Sequence, residues 1–187
     1  GWGGVGDGTL VRPERAGEHG EWDIADNRAI CKQVNGTAVP APILAGWTLC
    51  HEDAGRAEEL AYQYIGGYYR SVVKHYEMAG DHLKKTKGYE TYAAMQDHVS
   101  KSIEDVVKFF MSIQVWGTPE KCFETIKNFT ERTGAGAYTG VFSYAGMPHA
   151  EAERSLRLFA KEVLPEVRKL PGEPLLKPEL PRRAATG

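Results

Sequence analysis

The chain has 187 residues, enough for one domain with a substantial core. Its 23 Lys and Arg residues nearly balance its 25 Asp and Glu residues, which gives a formal net charge of −2. This balance, with no long run of one sign, argues against a nucleic acid or an acidic membrane as the main partner. No stretch reaches the ~20 consecutive apolar residues that cross a bilayer.

The amino-terminal residues are rich in glycine and charge. Residues 1–22 show neither a helical nor a strand period, so we expect an irregular edge there, and they lack the apolar core of a secretory signal. The three cysteines, Cys31, Cys50 and Cys122, are widely spaced, which matches neither a disulfide framework nor a zinc site. We therefore expect a cytoplasmic protein with no metal, since the histidines also lack ligand spacing.

The first predicted elements are a short helix and a strand. The helix lies within residues 23–36 and stops at the Asn35-Gly36 pair. Ile43–Cys50 is an apolar run of strand length without a charge, which is typical of a strand buried on both faces of a parallel sheet.

A longer helix comes after this strand, and Asp53 is its predicted N-cap. Gly66 and Gly67 lie inside it and indicate close packing or a kink, because each costs about 1 kcal/mol relative to alanine. The apolar positions at helical spacing are Ala57, Leu60, Ala61, Tyr64, Ile65, Tyr68 and Val72.

Residues 78–105 interrupt this regularity. The segment mixes glycine, lysine and aromatic residues and is long for a connection, so we interpret it as a lid-like insert. A helical period returns within residues 97–110. Its predicted apolar face consists of Val99, Ile103, Val106, Val107 and Phe110.

A strand-turn-helix unit comes next. Ile113–Trp116 is the predicted strand, and Gly117 permits a sharp turn. Thr118 occupies the N-cap position and Pro119 the first helical position, where its missing N–H costs nothing. Cys122, Phe123, Ile126, Phe129 and Thr130 line one face of the helix, and Gly134 is its predicted stop.

The last unit repeats this order. Ala137–Tyr144 is the predicted strand, and a helix runs from Pro148 until Pro165 ends or kinks it. The apolar stripe of that helix is Ala152, Leu156, Phe159, Ala160 and Val163. Residues 171–187 carry several prolines and charges and predict a disordered tail.

The alternation of buried strands and helices predicts an α/β fold with a parallel sheet and right-handed crossovers. A complete (β/α)₈ barrel needs eight strands and about 250 residues. The sequence shows three clear parallel strands with helices, which alone would leave open sheet edges and uncovered helix faces.

Several ordered motifs resemble the carboxyl-terminal part of the bacterial-luciferase-like flavin monooxygenases. They are "KGYETY", "VWGTPEKC" and "TGAGAYTGVFSYAGMPHAEAERSLRLFAKEVLPEV". The resemblance spans residues 40–170, within a predicted domain of residues 23–170. It implies that the chain forms the carboxyl-terminal part of a (β/α)₈ TIM barrel, with the predicted strands as its sixth, seventh and eighth strands. It also implies that the lid-like insert closes over the active site.

The resemblance also implies a function. Members of the family use reduced FMN, supplied by a flavin reductase, and O₂ to oxidise small organic substrates. One branch uses a deazaflavin, and a further alternative is a non-catalytic partner subunit that keeps the barrel. We expect a homo- or heterodimer and, because the flavin-phosphate contacts of several members lie on earlier strands, an incomplete site in this chain alone.

Candidate site residues are chosen by the rule that barrel active sites lie at the carboxyl ends of the strands. Trp116, Gly117, Thr118 and Tyr144 are the candidates for cofactor binding, and core packing is the alternative for the two aromatic residues. Another three candidates concern the substrate. Trp47 and Cys50 are candidate pocket residues, and core packing is the alternative for both. His51 is a candidate proton donor, and the alternative is that it is a solvated residue before a helix.

Overall fold

The computed structural model describes residues 10–11, 29–30, 32–34, 36, 41–75 and 103–171. The strands are β1 (Leu10–Val11), β2 (Ile43–Cys50), β3 (Val115–Gly117) and β4 (Ala137–Val141). The helices are α1 (Ala54–Ala61), α2 (Gly67–His75), α3 (Ile103–Ser112), α4 (Pro119–Thr133), α5 (His149–Leu158) and α6 (Leu164–Val167). Two π-helical segments, Tyr62–Gly66 and Phe159–Val163, join α1 to α2 and α5 to α6. The predicted insert over residues 78–105 lies mostly outside the described residues.

The strand β2 is shared by all the described strand pairings. Its first residues pair in parallel with β1, and Thr48–Cys50 pair in parallel with β3. The α/β class with parallel strands is thereby confirmed. The sequence analysis did not predict β1, whose two residues fall in the segment expected to be irregular.

The pairing of β4 differs from the order that the resemblance implies. An eighth barrel strand would lie beside the seventh, yet β4 pairs with β2. A Cβ added at Gly140 would lie 2.8 Å from the Thr48 Oγ1, so the strands approach at a point that only glycine allows. The absence of a side chain at Gly140 permits this pairing.

Two predicted strand boundaries were also wrong. β3 begins at Val115 rather than Ile113. The Trp47 N–H donates to the Gln114 side-chain carbonyl at 3.1 Å, so a side chain rather than a strand backbone is its partner at this point. β4 ends at Val141 rather than Tyr144. The chain then turns through Ala145, which has a φ of 52° that a strand cannot adopt.

The helix after β2 begins as predicted. The Asp53 carboxylate caps it by accepting the Arg56 N–H at 2.7 Å. The predicted apolar stripe is confirmed as far as Tyr68, which packs against the core, but Val73 is buried where Val72 was predicted. The π-helical segment Tyr62–Gly66 explains this shift, because one extra residue in a turn rotates the next part of the helix by about 100°.

The buried residues of helix α3 differ in part from its predicted apolar face. Val107, Phe110 and Met111 are buried, whereas Ile103 is 39% exposed. Ile103 precedes Glu104, whose carboxylate accepts hydrogen bonds from two polar side chains at this end of the helix. The polar contacts leave Ile103 at the surface.

The last helical run also departs from its predicted stripe. Ser155 is buried and Leu156 is 47% exposed, because Ser155 Oγ accepts the Cys50 N–H at 2.8 Å. Pro165 stands in the first turn of α6, directly after the π-helical segment Phe159–Val163. The predicted kink is thus a change of helix type, which the missing N–H of proline accommodates.

The chain divides into two compact units. The first comprises residues 1–45, 128–139 and 171–187, and in it the Gly136 N–H donates to the Pro42 carbonyl at 3.0 Å. Two predicted helix stops are confirmed here: Gly36 and Gly134 have φ values of 67° and 66° and donate to the carbonyls four residues earlier.

The second unit comprises residues 46–127 and 140–170 and contains the main apolar cluster. Leu49 of β2 packs there against the first helices, and Val107 of α3 is fully buried. The other buried residues of the cluster are Ala57, Leu60, Ala61, Ile65, Phe110, Met111, Tyr144, Met147 and Ala152. Within the described part of the chain, every helix is too short or too polar to span a membrane.

Candidate active site at the carboxyl edge of the sheet

The ends of β2 and β3 lie side by side. Cys50 is the register partner of Gly117, and the His51 N–H donates to the Gly117 carbonyl at 3.0 Å. The parallel pairing thus brings together four candidates that the sequence places far apart: Cys50, His51, Gly117 and Thr118. These four residues are called the carboxyl edge below.

His51 lies in a defined environment. It is 7% exposed, so the interpretation of a solvated residue is wrong. Its Nδ1 accepts the Asp53 N–H at 2.9 Å, which places the proton of the neutral ring on Nε2. The neighbouring Glu52 carboxylate pairs with Arg154 at 3.0 Å. A backbone hydrogen bond and the Arg154 guanidinium hold the pKa of Glu52 below its ordinary value.

The turn after β3 has the geometry that the sequence predicts. Gly117 has a φ of 135°, and a Cβ there would lie 2.6 Å from Lys121 Cδ. Thr118 Oγ1 faces the Lys121 N–H at a long 3.4 Å, and the Thr118 carbonyl accepts the Cys122 N–H at 2.9 Å. Glycine is therefore required by both backbone conformation and space.

Trp116 is half-buried beside this turn. Its indole N–H donates to the Met111 carbonyl at 2.8 Å, and Lys121 Nζ lies 3.3 Å from its ring centroid. It also borders a cleft of about 440 Å³, a volume within the range of small-molecule pockets. The cleft is lined by Glu58, Glu59, Tyr62, Lys108, Met111, Ser112 and Trp116.

Two other aromatic candidates pack in the core. The Tyr144 hydroxyl donates to the Thr48 carbonyl at 3.2 Å, and the ring belongs to the apolar cluster. The Trp47 ring lies 4.5 Å from Tyr68 and 5.3 Å from Phe110, between centroids. Core packing accounts for both positions, and their assignment to a pocket stays a prediction.

Two residues at this edge were not assigned to it from the sequence. Cys122 was placed only on the apolar face of α4, yet its Sγ lies 3.6 Å from the Leu49 carbonyl. Ser155 was not singled out, although it sits three residues after Ala152, where a helix returns to the same face. A serine on an apolar stripe is the signal that could have revealed its contact with Cys50.

Comparison with known proteins gives a fold likeness without a close sequence relative. No protein-family profile matches the chain. No curated protein matches it in sequence.

Two solved structures are similar in fold. The first is the monooxygenase RslO1 from Streptomyces bottropensis, with 18% identity and a TM-score of 0.56 over 86% of this chain and 42% of that one. The second is the oxygenating constituent of 3,6-diketocamphane monooxygenase from Pseudomonas putida, a type II Baeyer-Villiger monooxygenase in complex with FMN. It has 20% identity and a TM-score of 0.51 over 88% and 43%. The chain therefore has the α/β fold of part of a TIM-barrel-like monooxygenase and spans less than half the length of these structures.

Proposed function

We propose that the chain belongs to a flavin-dependent monooxygenase that uses reduced FMN and O₂ to oxidise a small organic substrate. The observation that carries the proposal is the likeness of its fold to two monooxygenases, one of them in complex with FMN. The carboxyl edge supplies the place, because active sites of barrel enzymes lie at the carboxyl ends of their strands.

The residues at this edge suit a flavin mononucleotide. Lys121 lies in the first turn of the 15-residue helix α4, where its positive charge and the amino-terminal end of the helix dipole both favour a phosphate. Gly117 removes the side chain that would crowd the turn, and His51 retains Nε2–H as a hydrogen-bond donor. FMN supplies the oxygen chemistry when bound, and the protein orients it and excludes water.

Two alternatives share the fold. A deazaflavin would place similar demands on the carboxyl edge. One observation favours a non-catalytic partner subunit in a heterodimer. Trp116 and Tyr144, the proposed cofactor-binding aromatic residues, both donate their side-chain hydrogen bonds to backbone carbonyls of the protein itself. Cytoplasmic localisation, supply of reduced FMN by a flavin reductase and dimer formation belong to the same proposal.

The test is oxygen transfer by the protein expressed from its complete coding sequence. The purified protein is supplied with FMN, NADH and a flavin reductase under isotopically labelled O₂, with a panel of small ketones, aldehydes and aromatic compounds. A product carrying one labelled oxygen atom supports the proposal. Turnover with a reduced deazaflavin alone supports the first alternative. A folded protein that retains no flavin and yields no product supports the second.

The turn at Gly117 gives a sharper test of where FMN binds. We expect Gly117→Val to lower FMN affinity by roughly tenfold or more, because the new side chain meets Lys121 at the edge. The strain of the positive φ costs about 1–2 kcal/mol of stability as well. FMN affinity is measured by fluorescence quenching and stability by thermal melting, and affinity should fall by more.

Two control variants separate binding from folding. Thr118→Ala removes a weak cap next to Gly117 without adding bulk and should lower FMN affinity by much less than Gly117→Val. Lys121→Ala introduces no strain and should weaken FMN binding through loss of a cation. If Gly117→Val and Lys121→Ala both keep full FMN affinity, the carboxyl edge is not the flavin site.

A further inference from the structure

Two buried cysteines lie on neighbouring elements at the carboxyl edge. Cys50 at the end of β2 is 1% exposed and Cys122 in α4 is fully buried. Cys122 Sγ lies 3.6 Å from the Leu49 carbonyl and 3.8 Å from the Gly117 carbonyl. Leu49 precedes Cys50 in the chain and Gly117 is the register partner of Cys50, so both contacts place the Cys122 sulfur against the backbone around Cys50.

The Cys50 thiol also affects the protonation of Cys122. A hydrogen bond to the Cys50 thiol, followed by burial, raises the pKa of the Cys122 thiol far above its ordinary value. Cys122 therefore keeps its proton at neutral pH. The pair joins elements that are distant in sequence, a strand end and the first turns of a helix, and both cysteines are in the reduced state.

We propose that Cys50 and Cys122 form a reversible disulfide when the protein meets hydrogen peroxide. A disulfide requires two cysteines on closely spaced backbone segments, and the contacts of Cys122 Sγ with the Leu49 and Gly117 carbonyls place α4 against the backbone beside Cys50. The proposal does not depend on the flavin, since peroxide from any source supplies the oxidising equivalents.

The chemistry divides the roles between the two sulfurs. Cys50 Sγ attacks one peroxide oxygen, the O–O bond breaks, and Cys50 becomes a sulfenic acid while the first water leaves. Cys122 Sγ then attacks the Cys50 sulfur, the S–O bond breaks, and the hydroxyl group leaves as the second water with the Cys122 proton. Two thiols lose two electrons in total, and one peroxide is reduced to two waters.

Burial determines which oxidant can act. Cysteines that are 1% and 0% exposed are shielded from bulky reagents, so the proposed oxidant is small and uncharged rather than a large disulfide. The bond would fix the end of β2 to α4 beside Gly117. Closing a long loop in this way restricts the unfolded chain, so the oxidised protein should melt at a higher temperature.

The experiment is peptide mapping of the whole protein after oxidation. Reduced protein is treated with hydrogen peroxide, alkylated in denaturant, digested with trypsin and analysed by mass spectrometry. We expect a linked pair of peptides containing Cys50 and Cys122 that dithiothreitol separates, with a rise in melting temperature that dithiothreitol reverses. Treatment with oxidised glutathione should give no link on the same timescale.

Variants assign the link and supply the contrary outcomes. Cys31→Ser should retain both the link and the temperature shift, whereas Cys50→Ala and Cys122→Ala should lose them. The mapping of wild-type protein decides the question even if the alanine variants fold poorly. Full alkylation of both thiols under conditions that oxidise added glutathione completely would overturn the proposal. So would a link through Cys31, a sulfinic acid at either site without a link, or equally rapid reaction with oxidised glutathione.

Discussion

Two adjacent glycines in the helical run after β2 have different surroundings. A Cβ at Gly66 would lie 3.1 Å from Val107 Cγ1 and 3.0 Å from Arg70 Nη1. A Cβ at Gly67 would meet nothing within 4 Å, and Gly67 has ordinary helical dihedral angles. Gly66 is therefore needed for helix packing, whereas Gly67 is a position where alanine fits.

This difference predicts opposite effects of the same substitution. We expect Gly67→Ala to raise the free energy of unfolding by about 1 kcal/mol, because alanine is the better helix former. Gly66→Ala should lower it by about 1 kcal/mol, since crowding against Val107 outweighs that gain. Urea denaturation of both variants measures the difference. Equal stabilisation of both variants would contradict the packing described for Gly66.

The caps of α1 and α4 offer a second matched pair. The Asp53 carboxylate accepts a backbone N–H at 2.7 Å, while Thr118 Oγ1 lies 3.4 Å from its donor. We expect Asp53→Ala to cost about 1 kcal/mol of stability and Thr118→Ala only a few tenths. Denaturant titration gives both values. A larger cost for Thr118→Ala would mean that its hydroxyl has a stronger contact than this distance indicates.

At the scale of elements, an ion pair joins the helical run after β2 to α3. Arg70 donates to the two Glu104 carboxylate oxygens at 2.9 and 2.6 Å, and the Tyr62 hydroxyl donates to the same carboxylate at 2.6 Å. The Arg70 and Tyr62 hydrogen bonds lower the pKa of Glu104 to about 2. The arrangement holds the start of α3 against the π-helical segment.

The lowered pKa predicts a pH-dependent contribution to stability. A carboxyl group whose pKa is lower in the folded state stabilises the fold above its unfolded pKa and loses that contribution as pH falls toward the folded pKa. For Glu104 the window runs from the ordinary value of 4.5 down to about 2. Melting temperatures of wild type and Glu104→Gln should therefore differ most at neutral pH and converge below pH 4.5.

The control is Glu120→Gln, which changes a carboxylate in the first turn of α4. At neutral pH its melting temperature should differ from that of wild type by less than the melting temperature of Glu104→Gln does. A wild-type advantage over Glu104→Gln that is constant from pH 7 to the acid limit would show that the ion pair does not carry this stability.

At the scale of the whole molecule, the burial of each helix predicts how slowly its backbone amides exchange hydrogen with solvent. Ala57, Leu60 and Ala61 of α1 are almost fully inaccessible, whereas none of the α6 residues is buried. Amides in the main apolar cluster exchange only through large openings. In hydrogen-exchange mass spectrometry, α1 should exchange more slowly than α6, and the reverse order would contradict the description of the core.

Much of this architecture was predictable because strands and caps are specified locally. The uncharged run Ile43–Cys50, the Asp53 cap and the Gly117-Thr118-Pro119 turn all occupy their predicted places. The pairing of β4 with β2 was not predictable, because it depends on a close approach at Gly140 between distant segments. The contact of Cys50 with Ser155 was missed for the same reason, since both are ordinary residues until the fold brings them together.

The π-helical segment Tyr62–Gly66 affects how this helix should be aligned with others. A relative with an unbroken α-helical period would have one residue fewer between the positions of Asp53 and Val73. Correct alignment of the two would need a single-residue gap inside a helix. Without that gap, every residue after Gly66 would be aligned one position out of register. A buried residue such as Val73 would then be compared with a residue on the side of the other helix that faces away from the core. A one-codon insertion can thus reduce the apparent identity of two helices whose buried faces are the same.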